Sequence, residues 1–233
     1  QGADMIKGIG LVTKKAGLDE AEFHRYWREV HGPLALRMPT LRRYVQSHRL
    51  AEPLPGFDQV PYDGVAEIWF DTLADITNLG QNPDYITGAQ ADEPNFIEME
   101  KLAFLATREH VFIEGPPMTR DTTWIKAIFL LRRRPDLSVA QFQDYWINGH
   151  APQIPRDAGV MRYVQCHQLP ETYAAGAPAY DGMAELWFED HAAFLAYWSS
   201  PRIQKIFGDD APRFLDGANC TGFLAQEYRV RWP

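Results

Sequence analysis

Two strings in this sequence, Tyr44-Val45-Gln46-Ser47-His48 and Tyr163-Val164-Gln165-Cys166-His167, set a phenol, an amide and an imidazole at alternate positions. On a strand, alternate residues share a face, so Tyr44, Gln46 and His48 point together, as do Tyr163, Gln165 and His167. Three hydrogen-bonding side chains on one face are an odd way to build a core. They suit a site: the imidazole titrates near neutrality and can act as a base, and the phenol can donate to an oxygen that gains charge. A carboxylate that fixes the imidazole tautomer would complete the set. Glu67 and Glu185, each two residues before a tryptophan, stand on the strand predicted to lie beside. His31 and His150 end predicted helices, within reach of the mouth of the same cavity. The expected catalytic set is His31, Tyr44, His48 and Glu67 with His150, Tyr163, His167 and Glu185. Gln46, Gln165, Trp69, Trp187, Arg37 and Arg156 are expected to contact substrate.

Each of these residues has a structural alternative. A histidine that ends a helix also serves as a C-terminal cap, where its positive form favours the helix dipole. Tyr44 and Tyr163 could hydrogen-bond at an interface between sheets. Glu67 and Glu185 could pair with Arg43 and Arg162 across a hairpin. Trp27, Trp69, Trp146 and Trp187 follow the helical and strand periods and read as core.

The elements that must position these groups occur twice. Shifting the chain by 119 residues lays Ile6-Lys7 on Ile125-Lys126, Tyr26-Trp27 on Tyr145-Trp146, His31 on His150 and Arg43-Tyr44-Val45-Gln46 on Arg162-Tyr163-Val164-Gln165. After a loop one residue shorter the offset is 118, and Tyr62-Asp63-Gly64 meets Tyr180-Asp181-Gly182. A period this long, present twice, indicates domain duplication rather than a solenoid. The domains are expected at 5–115 and 123–233, with 116–122 as linker and Gln1 to Asp4 outside the fold. In the first copy, Met5–Val12 reads as a strand. Asp19 caps a helix whose stripe is Phe23, Tyr26, Trp27 and Val30, and Gly32-Pro33 is expected to stop it. Strands follow at 42–50 and 62–70, helical turns at 72–101 and a closing strand at 102–113. The second copy repeats this with strands near 123–132, 160–169, 180–189 and 219–230 and a helix near 138–149. The order β-α-β-β-α-β is the ferredoxin-like, α+β arrangement.

The strings Phe23-His24-Arg25-Tyr26-Trp27, His31-Gly32-Pro33-Leu34, Leu41 to His48 and Tyr62 to Phe70 resemble the signature of the EthD family, and both copies carry them. In such families two ferredoxin-like units pair their sheets into a dimeric α/β barrel. The resemblance implies that a fused pair builds that barrel, as a pseudo-dimer, within one chain. It also implies a choice of chemistries, because related barrels include cofactor-free monooxygenases, cyclases, dehydratases, isomerases and haem-binding enzymes.

Composition narrows the partners. A net charge of −8 and a pI near 5.4 argue against a nucleic-acid partner, which needs clustered Lys and Arg. No run of 18 apolar residues exists, so no membrane helix is expected. Cys166 and Cys220 lack metal or disulfide spacing, which fits a reducing cytoplasm. No short metal motif, haem signature or glycine-rich strand–helix loop is present, so neither metal nor cofactor is expected. These observations lead to a cofactor-independent lyase or isomerase acting on a hydrophobic, aromatic or phenolic small molecule. Dehydration, retro-aldol cleavage and ring closure all need only a base and a phenol donor. The alternatives are an oxidoreductase, cofactor-free or haem-assisted, as family labels imply, or a non-catalytic carrier of an aromatic metabolite for a P450-like partner. A homodimer of such chains is a further expectation.

Overall fold

The computed structural model describes residues 4–233; the expectation about Gln1 to Asp4 lies almost wholly outside them. Eight strands carry the architecture: β1 Ile6–Val12, β2 Arg43–Arg49, β3 Gly64–Phe70, β4 Ala103–Ile113, β5 Ile125–Leu131, β6 Arg162–Gln168, β7 Gly182–Phe188 and β8 Thr221–Arg231. They close into one antiparallel barrel in the order β1-β3-β2-β8-β5-β7-β6-β4. Each repeat supplies four consecutive strands of that ring. The repeats join where β2 pairs with β8 and β4 with β6. The barrel that the resemblance implied is therefore built within a single chain.

Strands β1 and β5 are buried at every position because both of their faces are covered. In β1 the odd residues Ile9 and Leu11 pack inside the barrel with Val65, Ile128 and Leu130. The even residue Ile6 packs outside with Tyr44, Ile68 and Phe70, under the helices. A strand enclosed on both faces reads as a continuous apolar run instead of an alternation. The same parity governs the neighbours: the register sets Val45 beside Glu67 and Tyr44 beside Ile68. Tyr44, Gln46 and His48 thus lie on the outer face, toward the helices, while Glu67 lies on the inner one.

The helices are α1 Glu20–Tyr26, α2 Gly32–Ala35, α3 Leu73–Thr77, α4 Pro83–Tyr85, α5 Val139–Tyr145, α6 His191–Trp198 and α7 Pro201–Asp210. Asp19 caps α1 as expected, accepting from Glu22 N. The expected stop at Gly32-Pro33 does not occur. Instead the chain makes a wide turn over Trp27–His31, closed by Gly32 N–H donating to Trp27 O, and runs on into α2. Proline is tolerated there because the first turn of a new helix has no partner for its N–H. The wide turn also rotates the stripe. Val30, expected inside, is 37% exposed, whereas His31 is buried. The second repeat has the same wide turn at Trp146–His150. No helix is long and apolar enough to cross a membrane among the described residues.

Two glycines are fixed by this packing. A Cβ on Gly64 would sit 2.4 Å from the Trp27 ring and 2.7 Å from Ser47 O, and one on Gly182 would sit 2.5 Å from the Trp146 ring and 2.7 Å from Cys166 O. Glycine at these sheet positions lets each tryptophan lie flat against the strand pair.

Candidate active site

The wide turns decide which side chains meet beneath each helix. An i→i+5 turn leaves a carbonyl free for other donors, and such turns recur at functional sites. Gln46 Nε2 donates to Trp27 O at 2.8 Å and to the Tyr44 hydroxyl at 2.9 Å. Because a carbonyl can only accept, the amide nitrogen must face it, and Gln46 Oε1 is left to accept from His48 Nε2 at 2.9 Å. His48 Nδ1 then accepts from His24 Nδ1 at 2.7 Å. The second repeat reproduces the chain as far as the histidine: Gln165 donates to Trp146 O at 2.9 Å and to the Tyr163 hydroxyl at 2.7 Å, and accepts from His167 at 2.8 Å, while Gln143 replaces His24 and turns to Gln168 O. In both repeats the tyrosine oxygen already accepts a hydrogen bond and keeps its own proton to give. Burial pushes the Tyr44 and Tyr163 phenols up, so both stay protonated.

His31 and His150, buried by the wide turns, are gripped from the other side. His150 Nδ1 lies 2.6 Å from Asp210 Oδ2, and the Tyr145 hydroxyl donates to the other oxygen of the same carboxylate. His31 Nδ1 lies 3.0 Å from Asp92 Oδ2, with Tyr26 on Oδ1. A carboxylate on Nδ1 fixes the tautomer with its proton there and leaves Nε2 as a lone pair. Burial lowers the basicity of both imidazoles more than their aspartates raise it, so both are neutral near pH 7. The same contacts hold Asp92 and Asp210 low against the upward push of burial.

The two repeats differ in the space in front of these groups. In the second, His150 and Tyr163 line a cavity of about 560 Å³ whose other walls include Phe129, Leu186, Trp198 and Phe207. Pro55, Gly56 and Phe57 of the first repeat close one side of it, and Trp198 Nε1 donates to Pro55 O at 3.0 Å. In the first repeat, His31 and Tyr44 line a space of about 100 Å³, bounded by residues of that repeat alone. The helical segments explain the difference. The second repeat has α6 and α7, of eight and ten residues, whereas the first is broken by Gly80, Pro83, Gly88 and Pro94 into short turns that settle on the sheet.

Glu67 and Glu185 sit apart from all of this, in the middle of the barrel. Lys7 Nζ is 2.7 Å from Glu67, and Lys126 Nζ is 2.6 Å from Glu67 and 2.5 Å from Glu185; Lys7 also touches Glu185. Burial alone would raise the Glu185 carboxyl, but the two ammonium groups hold it at about 2. The partners are therefore lysines, not Arg43 and Arg162. Glu109, Cys166 and Glu185 come close enough to hold a metal, but the Lys7 ammonium stands among them, 3.5 Å from Glu109 and from Cys166. Trp69 Nε1 donates to Glu109 at 2.6 Å, and Trp187 donates to Glu227. Both tryptophans face the barrel interior near the two lysines.

The structure thus brings His31 together with Tyr44, and His150 with Tyr163. It separates Glu67, Glu185, Trp69 and Trp187 from them by the thickness of the sheet. His48 and His167 pack tilted against Trp27 and Trp146, with ring centroids 4.4 and 4.2 Å apart, and reach the tyrosines only through Gln46 and Gln165. Arg37 and Arg156 are exposed and line neither cavity; Arg156 donates to Phe112 O at 2.8 Å. Asp92 and Asp210 escaped sequence reasoning. They are one offset of 118 apart, the same that aligns Phe96 with Phe214, and that recurrence was the available signal.

A closed barrel made of two ferredoxin-like halves, each with a helix laid over its outer face, defines a dimeric α/β-barrel protein. The EthD domain model matches residues 15–100 and again 134–218, so the chain belongs to the EthD family and carries its domain twice. Among solved structures, an anthrone oxidase-like protein superposes with a TM-score of 0.70 at 9% identity, covering 97% of this chain and 94% of that one. A mutant chlorite dismutase from Candidatus Nitrospira defluvii superposes at 0.52 with 8% identity, covering 99% and 94%. At such identities these structures speak for the shared fold. No curated protein matches the chain significantly.

Proposed function

We propose that this chain is a lyase or isomerase that moves protons on a hydrophobic aromatic or phenolic molecule in the cavity of its second repeat. The carrying observation is the His150–Asp210 pair at the wall of an apolar space of about 560 Å³, large enough for a fused-ring substrate. His150 Nε2 takes a proton from a carbon acid or hydroxyl, and Asp210 stabilises the imidazolium that forms. Tyr163, positioned by Gln165, donates to the oxygen on which charge develops. The apolar walls exclude water and strengthen both interactions. The proton on His150 then returns to the leaving hydroxyl in dehydration, to the carbanion released in retro-aldol cleavage, or to the alkoxide formed when a carbanion closes a ring on a carbonyl.

The test is incubation with a panel of phenolic and polyketide-like compounds, read by mass spectrometry and absorbance. Product that forms without oxygen uptake and disappears in His150→Ala supports the reading. Full turnover in His150→Ala sinks it. An oxidoreductase is the second reading, favoured by the superposition on an anthrone oxidase-like protein. The same proton removal would give an electron-rich carbanion for dioxygen to attack, and stoichiometric oxygen consumption would move this reading to first place.

A further inference from the structure

The first repeat is more than a shrunken copy of the second. Two positions that are apolar in the second repeat, Ile203 and Ala211, correspond at the offset of 118 to Tyr85 and Glu93 in the first. Both line the small space in front of His31. Tyr85 donates to Glu93 Oε1 at 3.1 Å, and this is the only side-chain hydrogen bond of that carboxyl among the described residues. A carboxyl drawn into an apolar wall with acceptor sites to spare is costly unless something else bonds to it. The dyad has also been kept: His31 is held by Asp92 and Tyr26 as His150 is by Asp210 and Tyr145. Around these groups stand Val12, Met38, Ile68 and Leu79.

We propose that the first repeat holds a second ligand site, for an uncharged molecule of a single ring or less that bears a hydroxyl or carbonyl group. The ligand hydroxyl donates to His31 Nε2 or to Glu93, and its oxygen accepts from Tyr44. Size sets the upper limit. A space of about 100 Å³ is smaller than the engineered apolar cavity of roughly 150 Å³ that takes benzene, so one ring is the most it holds, and only as the unbranched Met38 side chain moves aside. Charge sets the class. Burial raises the Glu93 carboxyl to about 7, so it both donates and accepts near neutrality and repels an anion once ionised. The second repeat, with no such carboxyl and more than five times the space, selects larger apolar molecules. This site stands whether or not the second repeat is a lyase.

The experiment uses 4-fluorophenol, followed by fluorine NMR, with 1-naphthol as competitor. Two bound environments are expected. Naphthol displaces the one in the large cavity and spares the other, and, above the Glu93 value of about 7 where that carboxylate is ionised, Glu93→Gln weakens only the spared one, roughly tenfold for a lost charged hydrogen bond. Tyr85→Phe, which keeps the ring and frees the carboxyl, provides an independent variant with the same expected selectivity. A single bound environment overturns the proposal. So do two environments of which neither responds to Glu93→Gln or Tyr85→Phe while the variants melt like the parent protein.

Discussion

The two cavities share one set of polar anchors and differ in nearly everything around them. His31 and His150 have the same aspartate, the same tyrosine on that aspartate and the same wide turn, yet one faces about 100 Å³ and the other about 560 Å³. Under the proposed function, the contrast separates what would move a proton from what would choose the substrate. The polar anchors stand on strand and helix positions that both repeats share. The difference in space comes from α6, α7 and a loop of the other repeat, where the two copies differ.

The sharpest way to break that division is to exchange the histidines. His150→Ala should lower kcat for a fused-ring substrate by roughly 10²- to 10⁴-fold, the range for loss of a positioned base, whereas His31→Ala should leave it within a factor of two or so. Equal losses measured by steady-state kinetics would mean that the cavities do not work separately. Asp210→Asn should cost on the order of 10²-fold through misplacement of the imidazole. It should also move the pH profile. Burial lowers His150 below its ordinary 6.5 and Asp210 partly offsets this. The neutral base therefore survives as pH falls through 6.5, and kcat/KM declines only at lower pH. Removing Asp210 shifts that acid limb further down. A limb that moves up would show that the carboxylate does not act on His150.

Stability probes what the repeats still share. Gly182→Ala and Gly64→Ala should each cost about 1–3 kcal/mol by overpacking against Trp146 and Trp27, seen as matched drops in melting temperature. Unequal drops would place the divergence in the sheet as well as in the helices. The smallest effect is expected at the borrowed loop. Trp198→Phe removes the bond to Pro55 O, worth about 1 kcal/mol, and should raise KM roughly fivefold with kcat unchanged.

Much of this was legible in the sequence. The duplication, the strand order and the cap at Asp19 follow from matched strings and local chemistry, and alternate residues correctly grouped Tyr44 with Gln46 and His48. The sheet face was harder. Period-2 reasoning groups residues but does not say which group faces the helices, and β strands covered on both sides give no polar alternation to decide it. For that reason Glu67 reads from the sequence as a neighbour of the tyrosine, whereas the register turns it inward. The wide turns were invisible because the pattern at Trp27 fits an ordinary helix equally well. Asp92 and Asp210 lie in the stretch where the repeats resemble each other least, and only tertiary folding brings them back to the histidines.

The lysine and glutamate ring at the barrel centre ties the two repeats together. Each repeat contributes one lysine and two glutamates, Lys7 with Glu67 and Glu109 and Lys126 with Glu185 and Glu227, and Lys126 is bonded to Glu67 of one repeat and Glu185 of the other. A change of charge in one half therefore leaves a buried charge of the other half without its partner, so the two halves depend on each other at the barrel axis.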